Sequence, residues 1–285
     1  MSNDARQAWQ LGWLAAPTCI VLLFSFVFPL ALIARYSVNE FVPGELMREA
    51  LTPANYARFF TDDLFQRVFA TTLGISLASS FVAVLVGIPT AFALRRFSPR
   101  WRSVLITLLL FPLLVVTVVR AAGWVALFNE RGALNSFLLA LHLTSEPVRF
   151  LRTAPALIVA MASSLLPYIV ISIDSVLQSV PRELEEAAMV LGAPPHAAFR
   201  HVILPLILPG IVTGFVLSFI LSMDAYATPL LIGGSAIRMM SPMIYVQVSE
   251  LQNWPFASAI SIVLVVTSLV VSGLITMAAT QKKWR

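Results

Sequence analysis

Long apolar runs separated by short polar segments dominate the chain. Six of them, at about 11–34, 68–94, 103–127, 154–178, 205–231 and 255–279, are long enough to cross a bilayer, since a ~30 Å hydrocarbon core takes about 20 helical residues. Without water in that core the backbone must bond to itself, and an uninterrupted apolar run does so as a helix. The predicted class is therefore all-α: one polytopic transmembrane domain over residues 1–285 with six transmembrane helices. Pro29, Pro89, Pro112, Pro167 and Pro209 fall inside these runs and predict kinks, because neighbouring helices can satisfy the freed carbonyls. Residues 137–143 (FLLALHL) are apolar but too short to cross, and are expected to form a short interfacial helix. The first run is too long for a signal-peptide core and is expected to remain as the first span.

Composition agrees with the pattern. The 285 residues are 59% hydrophobic and 12% charged, with a mean hydropathy of +0.87. These values exclude a disordered, collagenous or disulfide-built chain and argue against a soluble enzyme. Cys19 is the only cysteine, so no intrachain disulfide can form. The net charge of +5 does not point to nucleic acid, because the basic residues flank apolar runs and form no stripe. With the N-terminus in the cytoplasm, segments 1–10, 95–102, 179–204 and 280–285 carry ten Lys/Arg in 50 residues, whereas 37–67, 128–152 and 232–254 carry seven in 79. The clusters Arg95, Arg96, Arg100, Arg102 and Lys282, Lys283, Arg285 both fall inside, so both termini are predicted to be cytoplasmic. Trp9, Trp13, Trp101, Trp124, Trp254 and Trp284 lie near span ends, as an interfacial belt places them.

The segment between spans four and five, 179–204, is longer than a connection requires. Its pattern is helix, break, helix. Pro181 suits a first turn, and Glu183, Glu185 and Glu186 follow where the helix dipole favours negative charge. Gly192 supplies a C-cap and Pro194-Pro195 stops continuation. A second short helix then runs from about His196 into Pro205. By composition alone this could be an amphipathic connection lying on the membrane, or a compact two-helix knob with small apolar residues exposed. Glu186-Ala187-Ala188, Gly192 four positions on, and Ile203-Leu204-Pro205 after ten more residues resemble the EAA loop of ATP-binding-cassette importer permeases. VGIPTAFALRR (86–96), FPLLVVTVVRAAGWVALFNERGALN (111–135) and FILSMDAYATPLLIGG (219–234) look like segments of the permeases that import polyamines, opines and related amino compounds. The resemblance covers about 65–280.

This resemblance implies a bacterial inner-membrane permease subunit forming half of a pathway for a small organic solute, a polyamine or related amino compound. The loop at 181–205 would dock on a separate ATPase through Glu186, Ala187, Ala188, Gly192 and Pro205. Two copies of an ATP-binding subunit would bind the ATP and Mg. A second six-span permease, a paralogue, and a periplasmic or extracellular solute-binding protein would complete the assembly. The chain has no phosphate-binding G-x-x-x-x-G-K-[ST] loop of its own, no catalytic constellation and no metal-ligand spacing; His196 and His201, five apart, do not share a helix face.

Three ionisable residues fall within the expected spans: Arg120, Asp174 and Asp224. A charge in the membrane is costly and is a functional candidate. At 1.5 Å per residue, Asp224 lies roughly 27 Å past the inner end of span five, with Arg120 at similar depth in span three. Asp224, with Tyr226 beside it, could meet a cationic group in the pathway, pair with Arg120, or face an outer aqueous cavity. Asp174, near the inner mouth, is a further candidate for the substrate pathway and is expected to be solvated or part of a gate. Gly210 and Gly214 form a G-x-x-x-G that permits close helix approach, expected against the partner subunit. The competing function class is an ATP-independent channel or secondary transporter, and the same importer class could instead carry an opine, an amino acid derivative or another organic solute.

Overall fold

A computed structural model describes the backbone of residues 3–181 and 183–281, and the side chains of 17–18, 21–181 and 183–279. Cys19, Trp9, Trp13, Trp284, Lys282, Lys283 and Arg285 lie outside the described side chains. The helices are α1 (Asn3–Tyr36), α2 (Ala54–Thr61), α3 (Asp63–Arg96), α4 (Pro99–Leu114), α5 (Thr117–Phe128), α6 (Ala133–Ala140), α7 (Ala154–Leu177), α8 (Glu183–Val190), α9 (Pro195–Ala198), α10 (Leu204–Met223), α11 (Met240–Ser249) and α12 (Trp254–Gln281). Two π-helical turns, Phe199–Ile203 and Pro229–Gly233, lie before and after α10. Among the described residues, β structure is limited to one bridge between Glu40 and Arg48.

The chain divides into two compact units: residues up to Asp63 with Ile244–Val265, and Leu64–Met243 with the residues from Val266 on. In the first, the segment after α1 is tied to α2. Asn55 Nδ2 donates to the carbonyls of Ser37 (2.9 Å) and Asn39 (2.8 Å), and the Ser37 and Tyr56 hydroxyls are 2.7 Å apart. The Arg58 guanidinium stands 4.3 Å from the centroid of the Phe256 ring. The first expected span lies in α1, whose described apolar stretch is Val21–Tyr36.

The second unit is organised around α7. Leu157, Ala160, Leu165, Ile169, Ile173 and Leu177 recur at helical spacing and are buried along its length, as a helix surrounded by others requires. Ala83, Val84 and Ala91 of α3, Ile203 just before α10 and Ile207 within it share its core. The G-x-x-x-G pair has a partner within the chain. A Cβ on Gly210 would sit 2.7 Å from the Ser172 carbonyl oxygen, and one on Gly214 would sit 3.1 Å from Ser172 Cβ and 3.2 Å from Ile169 Cα. Here the motif serves the α7–α10 contact, where the sequence suggested a subunit contact.

Among the described residues four helical runs are long and apolar enough to cross a membrane: Asp63–Arg96, Ala154–Leu177, Pro195–Met223 and Trp254–Ala279. The expected third span, 103–127, is broken. α4 ends at Leu114, α5 starts at Thr117, and the run through Ala140 is bent by 97° from α4, so the two form a broken span or a re-entrant loop. The expected fifth span, 205–231, also differs. Its helix starts ten residues earlier, at Pro195, and stops at Met223, where Asp224 is the C-cap. Pro205 therefore continues a helix that the sequence suggested it would end. Having no N–H, it leaves carbonyls of the preceding turn without an i→i+4 partner, and over Phe199–Ile203 the helix shifts to i→i+5 bonding, with Leu204 N–H donating to the Phe199 carbonyl.

The close α7–α10 approach makes a prediction. Gly210→Ala should destabilise the protein by about 1–3 kcal/mol through overpacking, read as a lower thermal midpoint in detergent. Gly123→Ala, with nothing within 4 Å of the added Cβ, should be neutral or stabilising by about 0.5–1 kcal/mol. Equal midpoints for the two variants would refute the contact.

Candidate functional site

The loop between α7 and α10 forms the expected knob. α8 starts on Glu183, Glu185 and Glu186 in its first turn and ends in a Schellman arrangement. Gly192 adopts φ +90°, its N–H donates to the Met189 carbonyl (3.0 Å), and Ala193 N–H donates to the Ala188 carbonyl (3.1 Å). Only glycine takes that φ without strain. Pro194 then caps α9, with Pro195 in its first turn. The turn leaves Val190 and Leu191 87% and 88% exposed. Glu186, Ala187, Gly192 and Pro205 are exposed and Ala188 is half-buried, so the loop presents a carboxylate and an apolar tip side by side.

Asp174, expected to be solvated or part of a gate, is buried and paired. Its side chain is 9% exposed and pairs with Arg102 of α4 at 2.6 Å, while Gln178 Nε2 donates to the same carboxylate oxygen at 2.9 Å. Arg95, in the last turn of α3, donates to the Val180 carbonyl at 2.9 Å and lies 3.9 Å from the Glu185 carboxylate. Arg95, Arg102, Asp174, Gln178 and Val180 border a polar cavity of about 460 Å³. In the sequence Arg95 and Arg102 mark only sidedness, because which carboxylate each meets is a tertiary fact.

Toward the other end of α7, a second cavity of about 410 Å³ lies between α5, α7 and the segment after α10. Thr117, Arg120, Ser164, Tyr168, Asp224, Tyr226 and Thr228 give it polar groups; Met161, Leu165, Leu221 and Ala227 give it apolar walls. Size and lining suit a small organic ligand. Arg120, Asp224 and Tyr226 are thus brought together, and Asp174 is not among them. Asp224 and Tyr226 sit in the irregular segment beyond α10, outside the helix the sequence placed them in. No ion pair joins Arg120 to Asp224. Arg120 Nη1 instead donates to the Pro112 carbonyl at 3.1 Å, across the α4–α5 break, where Val115 N–H reaches the same oxygen at 3.3 Å. Ser241 Oγ donates to the Asp224 backbone carbonyl at 3.1 Å, and the buried Ser222 hydroxyl on the cavity wall has no hydrogen-bond partner. Tyr168 and Ser164 escaped the sequence reading, although their spacing from Met161 and Leu165 marks one helix face. Trp124, expected in an interfacial belt, packs against Phe128 with ring centroids 5.0 Å apart.

Comparison with known proteins shows the family of the chain. Residues 83–285 match the family described as binding-protein-dependent transport system inner membrane component. The spermidine/putrescine transport system permease protein PotB of Haemophilus influenzae is 29% identical over 259 residues, covering 91% of this chain and 86% of that protein. PotB of Escherichia coli is 30% identical over 256 residues, covering 90% of each. A crystal structure of a bacterial ABC transporter that imports the acidic polysaccharide alginate contains a chain of the same fold, with TM-score 0.78 at 20% identity, covering 98% of this chain and 97% of that one.

Arg120 emerges as the clamp on the α4–α5 break. Arg120→Met should cost about 1–2 kcal/mol by removing a charged donor from the Pro112 carbonyl. Thermal unfolding in detergent reads this as a midpoint lower by a few degrees, and an unchanged midpoint would remove the clamp from the account.

Proposed function

The chain belongs to the family of binding-protein-dependent transport system inner membrane components, as a multi-pass permease subunit of the ATP-binding-cassette importer class, and from that premise we propose what it carries and how it is driven. Its solute is a polyamine or a closely related organic cation, and its energy comes from a separate ATPase that docks on the loop at 181–205. The exposed knob carries the second statement. Val190 and Leu191 are uncovered at the tip of a short helix closed by Gly192, an apolar tip that fits a groove on a partner protein. Glu186 beside that tip supplies a charge for register. With the family in place, the channel and secondary-transporter readings lapse.

The assembly proposed around this chain has two copies of the ATP-binding subunit, which bind the ATP and Mg, so that the chain itself holds no cofactor and catalyses nothing. A second six-span permease of the same family lines the other half of the pathway, and a periplasmic or extracellular solute-binding protein delivers the solute. Counting α1 as the first crossing and α4–α5 as a broken one gives six, with both termini in the cytoplasm.

The cavity supports the choice of solute. A polyamine is a flexible apolar chain between ammonium groups. Asp224 offers a carboxylate, Tyr168 and Tyr226 offer aromatic faces that attract cations, and Met161 and Leu165 offer an apolar wall for methylenes. The relatives transporting spermidine and putrescine point the same way. A zwitterionic opine or amino acid derivative is the second reading: it would also need an anion-binding group, and Arg120 on the cavity wall gives only Nη1 to the Pro112 carbonyl.

Two variants in the reconstituted complex test these statements. Glu186→Lys should reduce ATP-driven uptake of labelled spermidine at least tenfold while the chain still inserts in the membrane; normal uptake would remove the loop from the coupling path. Asp224→Asn should weaken uptake of spermidine about tenfold, the worth of a charge-assisted hydrogen bond of about 1.5 kcal/mol. An unchanged KM for spermidine would take Asp224 out of the pathway.

A further inference from the structure

The two sides of the coupling loop are joined to the bundle in different ways. On the C-terminal side, helix runs without interruption from Pro195 to Met223, so displacement of α9 is displacement of α10. On the N-terminal side, α7 ends at Leu177 and α8 begins at Glu183. Residues 178–181 are a non-helical link that would absorb motion if nothing braced it.

The braces come from the turn between α3 and α4. Arg102 grips Asp174, one turn before the end of α7. Gln178, the C-cap of α7, donates to the same carboxylate through its side chain and to the Asp174 carbonyl through its backbone N–H. Arg95 donates to Val180 in the middle of the link and faces Glu185 in the first turn of α8. The end of α7, the link and the start of α8 are therefore each held by an arginine from one short segment, 95–102. We infer that Asp174, Arg102 and Arg95 are positioning residues for coupling: they stiffen the α7–α8 joint so that movement imposed on the docked loop reaches α7 as well as α10.

The inference rests on the loop being the ATPase docking element, and stability alone does not account for the pair. Desolvating two charges offsets most of their attraction, and an apolar pair of similar volume packs about as well. What an ion pair adds is direction. Its geometry fixes both partners, whereas apolar contacts can slide.

The test uses the whole importer, with its ATPase, second permease and binding protein, in lipid nanodiscs and proteoliposomes. Cys19 is replaced by Ser, and spin labels are placed through Ser175→Cys on α7 and Leu184→Cys on α8. In the otherwise unaltered chain the label-to-label distance should stay narrow and unmoved when ATP is added. With Asp174→Asn the distribution should at least double in width, the ATPase should still co-purify within twofold, and spermidine uptake per ATP hydrolysed should fall about tenfold. The charge exchange Asp174→Arg with Arg102→Asp should recover a third or more of that loss. An Asp174→Asn chain with an unaltered distribution and uptake per ATP within twofold of the parent overturns the inference. If that chain does not accumulate, the exchange decides: accumulation with a narrow distribution supports the inference, whereas accumulation with a broad one, or failure to accumulate, overturns it. A parent complex without ATP-driven uptake overturns the reading of function instead, and the distance measurement still reports on the joint.

Discussion

The contact of α10 on α7 is the constraint on which the larger unit depends. Gly210 and Gly214 bring the two backbones so close that a single methyl at position 210 would stand 2.7 Å from the Ser172 oxygen. Small residues make such approaches where lipid supplies no hydrophobic force between helices and packing must do the work. The consequence is geometric. α7 and α10 are the two helices that the coupling loop joins, so the loop closes a hairpin whose arms are already locked. The cavity with Asp224 and Tyr168 lies farther along the same two arms. Loop and cavity are opposite ends of one tightly packed pair.

How much of this the sequence carries depends on whether the determinant is local. The α8–α9 knob is legible residue by residue: acidic first turn, glycine at the left-handed position, two prolines, each acting within a few bonds of itself. The all-helical class and the apolar runs follow from length and composition in the same way. The ends of the helices inside those runs do not. The α4–α5 break falls at Val115 and Val116, residues with no breaking chemistry, and Pro112 sits inside α4 rather than at its end. The break is held by Arg120 reaching back to the Pro112 carbonyl, eight residues away around a bend, which no helical period records.

The three charges within the expected spans show the same limit from another side. Rise per residue puts Arg120 and Asp224 at similar depth, and both line one cavity, yet depth says nothing of azimuth, and the Arg120 guanidinium meets the Pro112 carbonyl rather than Asp224. Asp174 was placed near the inner mouth by the same arithmetic, but its burial against Arg102 comes from α4 folding across it. A polar residue at a span end has two ways to escape the cost of desolvation, water or a partner, and only the tertiary contact decides between them.

Pro167 lies between these two regimes on α7. Below it, Ile169 and Ser172 meet the glycines of α10 and Asp174 meets Arg102, so that half is fixed to two neighbours. Above it, Met161, Ser164 and Leu165 line the cavity, with Tyr168 just past the proline. Proline lacks the N–H that would bond the Ser163 carbonyl one turn earlier and weakens the helix at that point. Bending of α7 therefore costs least between the half that follows the loop and the half that shapes the cavity. The polar groups that α7 gives to the cavity, Ser164 and Tyr168, lie within a turn of that point.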